Sequence, residues 1–232
     1  MKIVILTTKT LHHDYFIEKI SSVLSNETHV FYENRKINFP FKTFHNFEEK
    51  RKKFEINNFK LNKKKISAKF NICLNINSKT CIKKIKIINP ELIIVFGTGK
   101  INEEFIKNFK KKIFNLHGGD PSLYRGLDSH LWGIYHNDFK FIVTLHKLKA
   151  VLDSGNIIYK ECIKDKNIKI WKLRYFTTLK CIKLVSNLIK KLQLKSKYPS
   201  IKQKKIGRYY SAMPSSLKEI CYRKMETNYG NK

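Results

Sequence analysis

Leu92-Ile-Ile-Val-Phe96 is apolar at every position, follows Pro90 and stops at Gly97. A strand covered on one face alternates apolar and polar residues. A run apolar at both parities suits a strand buried on both faces of a parallel sheet. Ile3–Leu6 reads the same way, and its four apolar residues are too few for a signal peptide. His29–Tyr32 reads as a second strand and Ile113–His117 as a later one. Between them the apolar period becomes helical: Phe16, Ile17, Ile20, Val23 and Leu24 follow Asp14. Lys79–Ile88 predicts another helix, which Pro90 ends. Asn102 is placed to cap a third, with Glu103 and Glu104 favourable at the positive end of its dipole. This alternation predicts an α/β fold, doubly wound around a mostly parallel sheet.

Other stretches fit less well. Residues 47–69 suggest a helix from Phe47 and then a charged surface loop. After a helix around Asp128–Tyr135, Phe141–Leu148 and Asn156–Lys160 read as adjacent antiparallel strands. Tyr175–Leu192 is one amphipathic helix that packs on the sheet or forms a dimer face. Residues 193–206 are basic and linker-like, and Gly207–Pro214 is a compact motif before a short terminal helix. The chain thus divides into a catalytic unit, 1–165, and a helical C-terminal extension, 166–232, packed on it or dimerising with it.

Cys73, Cys81, Cys162, Cys181 and Cys221 are odd in number and show no CxxC spacing. This argues against zinc and a disulfide framework and for free thiols in a reducing cytoplasm. No apolar run is long enough to cross a bilayer. Lys and Arg number 48 against 18 Asp and Glu, a net charge of +30. Such a field draws anions and weakens with salt. The lysines are spread along the chain, however, with Lys63–Lys65 the densest run. That favours compositional bias over a nucleic-acid surface.

In open α/β sheets, ligands bind outside the carboxyl ends of the strands. Phe96-Gly-Thr-Gly-Lys-Ile101 leaves the end of one buried strand, and Asn115-Leu-His117 ends the next. Asn115 and His117 are two apart, so their side chains share a face. Asp153 lies in the turn Val151-Leu-Asp-Ser-Gly155 between the two later strands. Singly, each reads as ordinary: a structural histidine, a glycine turn without the full GxGxxG spacing, an Asp-Ser-Gly turn. Their convergence points to chemistry.

In order, Leu92–Ile101, Asn115-Leu-His117, Tyr124-Arg-Gly-Leu127 and Leu152-Asp-Ser-Gly155 resemble the catalytic domain of the 10-formyltetrahydrofolate-dependent formyltransferases. The resemblance covers roughly residues 1–165 and implies a Rossmann-like fold with Asn115, His117 and Asp153 as catalytic trio. The family usually has Asn-x-His-Pro-Ser, whereas here Gly118-Gly-Asp-Pro121 follows His117, which puts the shape of that loop in doubt. This variant, with Gly207–Pro214, resembles the sugar N-formyltransferases of surface polysaccharide (O-antigen) synthesis. The implied co-substrate is 10-formyltetrahydrofolate, and the implied acceptor an amine on a nucleotide-diphosphate-linked sugar. No metal is implied.

The chemistry fits the trio. As an amine attacks the formyl carbon, charge gathers on the formyl oxygen, and a donor such as the Asn115 amide stabilises it by roughly 3–4 kcal/mol in comparable sites. The amine must also lose a proton. His117 suits that role or a second oxyanion donor, and Asp153 would orient it. By resemblance the folate lies against Phe96, Gly97, Thr98, Gly99, Lys100 and Ile101 and the Lys149–Leu152 loop, with Lys149, Val151 and Leu152. The acceptor then meets Tyr124, Arg125, Asp128, His130 and Tyr209, with Arg125 a candidate phosphate ligand and Trp132 either core or contact. His12-His13 faces the same edge or caps the helix behind it. The rival readings are a glycinamide ribonucleotide formyltransferase, a tRNA formyltransferase, and a basic nucleic-acid-binding protein on a dead scaffold.

Overall fold

The computed structural model describes residues 1–22, 27–35, 38–165 and 168–230. Val23 and Leu24, expected to extend the first helix, lie outside them. Lys2–Thr7 (β1), Glu27–Glu33 (β2), Ala68–Cys73 (β3), Leu92–Phe96 (β4) and Ile113–His117 (β5) form the parallel part of a seven-stranded sheet. Ile142–Lys147 (β7) and Ile157–Cys162 (β8) complete it as antiparallel strands, giving the order β3-β2-β1-β4-β5-β7-β8. Tyr124–Gly126 (β6) pairs separately and in parallel with Arg208–Tyr210 (β9).

Strand order reverses between β1 and β4, so their crossover helices lie on opposite faces and leave a crevice at the carboxyl ends. Leu11–Ser21 (α1) and Leu173–Gln193 (α6) cover one face through Phe16, Ile17, Leu184, Val185, Leu188 and Ile189, all buried in one core. The long helix therefore packs against α1 and β7. Lys79–Ile88 (α3) and Glu103–Phe109 (α4) cover the other face through Ile82, Ile85, Phe105 and Phe109. Asn102 caps α4 as expected, its Oδ1 accepting from Phe105 N at 2.8 Å. Among the described residues no helix is long and apolar enough to cross a membrane.

Two features depart from the sequence reading. β3 forms where a loop was expected. It is an edge strand paired only with β2, and its outward Phe70 and Ile72 break the usual alternation. Phe47–Phe59 (α2) forms as read. The stretch read as a linker runs back along the molecule, bonding Ile201 to Ile157 through both backbone groups. The Gly207–Pro214 motif supplies β9, and the terminal helix Ser215–Gly230 (α7) after it packs on Ser129–Tyr135 (α5).

Candidate active site

Asn115 and His117 project from the carboxyl end of β5. The antiparallel register sets Asn115 opposite His146 of β7, a cross-strand pair on one face. Asp153 enters from the β7–β8 turn in the left-handed conformation, φ 52. Aspartate tolerates that conformation better than most residues.

The four side chains form one network. Asn115 Nδ2 donates to Asp153 Oδ1 at 3.1 Å and stands 3.2 Å from His146 Nε2. His146 Nδ1 lies 2.8 Å from the Lys147 carbonyl, to which it must donate. Its Nε2 faces the Asn115 amide and also lies 3.3 Å from Asp153 Oδ1. His117 Nε2 likewise donates to the Tyr124 carbonyl at 2.8 Å, turning Nδ1 toward Asp153 Oδ2 at 3.6 Å. Gly126 N donates to the same carboxylate oxygen at 2.8 Å.

His117 is 5 % exposed. Burial holds its pKa below the ordinary imidazole value, opposed mainly by the Asp153 charge. Burial alone would raise Asp153, but His117, His146 and the Gly126 N–H outweigh it and bring the carboxyl to about 2. The ring therefore rests neutral beside a carboxylate, with an acceptor facing each nitrogen. A proton arriving on His117 finds both N–H groups already partnered.

Two clefts meet at this network. One, of about 320 Å³, is lined by Gly97, Thr98, Gly99, Lys100, Ile101, Asn115, His117, Leu152, Asp153 and Tyr209. Leu148 and Arg35 also line it. Its glycine turn is fixed by buried Glu33, whose Oε2 accepts from Gly99 N at 2.7 Å. The other, of about 330 Å³, lies across His117 and is lined by His12, His13, Arg51, Phe96, Asp128, His130 and Arg174 among others. Burial lowers His13 and His130 to about 4 and His12 well below its ordinary value. Arg51 is paired with Glu48 at 2.7 Å, and Arg174 Nε with Glu55 Oε1 at 2.7 Å. A roomier groove beside β8 and α6, between Lys160 and Lys183, holds none of these groups.

Most expected contacts line one cleft or the other. Phe96 turns to the second cleft, while Lys149 and Val151 line neither. Tyr124 serves through its carbonyl, and its ring stacks on His136. Arg125 also lines neither cleft. Its Nε donates to Gly207 O at 2.6 Å and its Nη1 to Leu152 O at 3.0 Å, so the guanidinium ties two backbone segments together. Nε and one Nη1 hydrogen thus serve carbonyls, away from the clefts where a phosphate contact was expected. Trp132 is neither plain core nor contact: it donates to Ser211 O at 2.9 Å and stacks on Tyr210 at 4.7 Å. His146, Glu33 and Arg35 were missed by sequence reasoning. His146 lies in the strand Ile142–Lys147, and only the pairing register reveals its partner.

This geometry agrees with the comparisons. The chain belongs to the formyl transferase family, whose model matches residues 2–167. A methionyl-tRNA formyltransferase of Borreliella afzelii is 30% identical over 139 residues, which is 60% of this chain and 40% of that protein. The chain thus spans about two fifths of the curated relatives it matches. Among solved structures, a 4-N formyltransferase from Francisella tularensis aligns over 97% of this chain and 87% of its own, with TM-score 0.63 and 16% identity. The formyltransferase PseJ from Anoxybacillus kamchatkensis aligns over 91% and 86%, with TM-score 0.55 and 20% identity. Its structure holds UDP-4,6-dideoxy-4-formamido-L-AltNAc and tetrahydrofolate. At these identities the likeness establishes the fold.

Proposed function

We propose that the protein transfers a formyl group from 10-formyltetrahydrofolate to the amine of a nucleotide-diphosphate-linked amino sugar. The observation that carries this reading is the meeting of two clefts at one Asn–His–Asp network. A two-substrate transfer needs its reactants on either side of the catalytic groups. The cleft along Gly97–Ile101 and Leu152 suits a flat pterin, being narrow, partly apolar and rich in backbone polar groups. The cleft holding Asp128, His130 and Arg51 takes the acceptor.

In this mechanism one Asn115 N–H leaves His146 for the formyl oxygen, while the other stays on Asp153. His117 takes the amine's proton at Nδ1, the nitrogen not bonded to Tyr124, as the new C–N bond forms. It returns the proton to N10 as the formyl–N10 bond breaks and tetrahydrofolate leaves, and Asp153 stabilises the imidazolium in between. Five free cysteines suit a reducing cytoplasm.

The sugar acceptor is supported by PseJ, whose structure holds a UDP-linked formamido sugar with tetrahydrofolate and which aligns over 91% of this chain. The tRNA reading draws on the methionyl-tRNA formyltransferase relatives and on the charge of +30.

The test offers 10-formyltetrahydrofolate with UDP- and dTDP-linked amino sugars, glycinamide ribonucleotide and methionyl-tRNA, with mass detection of the formyl adduct. A formylated nucleotide sugar is expected. Preference for methionyl-tRNA or the ribonucleotide would overturn the acceptor while leaving formyl transfer standing.

A further inference from the structure

Asp153 is held by its carboxylate and also by its main chain. Gln203 Nε2 donates to the Asp153 carbonyl at 2.8 Å and to the Gly155 carbonyl at 2.7 Å. Both hydrogens of its amide thus grip the turn on either side of Ser154. Gln203 Oε1 is buried without a partner. An unpaired buried acceptor is unfavourable, so the residue carries a local penalty alongside its grip on the turn. Arg125 adds a second tie, from Gly207 O to Leu152 O. β9 adds a third through its pairing with β6, whose Tyr124 O accepts from His117 Nε2 and whose Gly126 N donates to Asp153. Gln203, Gly207 and β9 lie beyond the part of the chain that the family model matches.

We propose that Gln203 is a positioning residue for the reaction, acting through Asp153. Asp153 tolerates the left-handed region better than most residues, yet that conformation persists only where its surroundings hold it. Gln203 is the side chain that fixes the turn's two carbonyls. Without it the turn relaxes toward ordinary backbone, and the carboxylate leaves its place beside His117 Nδ1.

The inference rests on the formyl-transfer reading, and its test separates the two. Gln203→Leu removes both donors at similar volume. With 10-formyltetrahydrofolate and a UDP-linked amino sugar, it should lower kcat about tenfold and leave the folate KM within about threefold. Combined with Asp153→Asn it should cost less than about twofold more, since what it positions is already gone. An NMR titration of the imidazoles needs no turnover. There Gln203→Leu should move His117 to lower pH, as Asp153→Asn does. Gln203→Met is the second variant should the branched leucine side chain pack badly, with thermal melts confirming a folded chain. Equal losses in both backgrounds, or an unmoved His117 titration in a folded variant, would overturn the proposal. A wild type that forms no tetrahydrofolate with any acceptor would overturn the formyl-transfer reading instead, and the titration would still decide whether Gln203 positions Asp153.

Discussion

Both carboxylate oxygens of Asp153 are occupied, one by Asn115 and the other by Gly126, with His117 beside the second. Asp153→Asn leaves an amide of the same shape with a neutral face toward the ring. We expect kcat to fall by about 10²–10⁴-fold, the scale of an assisted proton transfer. Because the Asp153 charge raises His117 against burial, its loss lowers that imidazole further. The acid limb of the kcat profile, already below 6.5 in the wild type, should therefore move to lower pH. An unmoved limb with full activity would reduce Asp153 to a turn residue. The meeting of Asn115, His117 and Asp153 at one strand edge was legible in the sequence, from two residues along a strand and then a turn. His146 was not, since its partner is set by strand pairing. Nor were the partners of Arg125, because a guanidinium suits phosphates and carbonyls alike, and only the fold says which it meets.

Between elements, the β7–β8 turn is the tightest joint near the site. A Cβ built on Gly155 would lie 1.6 Å from the Lys147 carbonyl oxygen, so two backbones meet where no side chain fits. Gly155→Ala must push the turn off β7 and should destabilise the protein by about 2 kcal/mol or more, with activity falling further as Asp153 moves. Urea unfolding with an unchanged midpoint would show that the turn can absorb the methyl. A Cβ on Gly126 would meet Tyr210 O at 2.2 Å, a similar crowding where β6 meets β9. The major strands and helices were legible because each carries an apolar period of its own. β3 lacked one because it packs on a single neighbour, and β6 and β9 lacked one because three residues are too few to show a period.

Across the molecule, several buried imidazoles share one acid response. His13 and His130 titrate near 4 when folded, against 6.5 for an exposed ring, and His12 and His117 are also lowered. The unfolded chain therefore binds protons first as pH falls. Stability is complete above about 6.5 and declines toward 4, each histidine adding a slope of about 1.4 kcal/mol per pH unit inside the window. Asp153, near 2 when folded and 3.8 otherwise, adds its loss only below that window. Thermal melts should show Tm falling steeply between pH 6.5 and 4, and a flat Tm across that range would contradict the burial of these rings. The fold class was legible at this scale because double burial forces apolar runs. The return of the tail was not, because Gln203 and Ile201 make their contacts at long range from a basic, unpatterned stretch.

That return has a consequence for the order in which the protein is made. A ribosome delivers β1 through β8, and with them Asn115, His117 and Asp153, before it reaches Gln203, Gly207 and β9. A nascent chain can thus close its main sheet while its reactive groups still lack their supports. On the positioning role proposed for Gln203, competence waits until the tail packs on the β7–β8 turn.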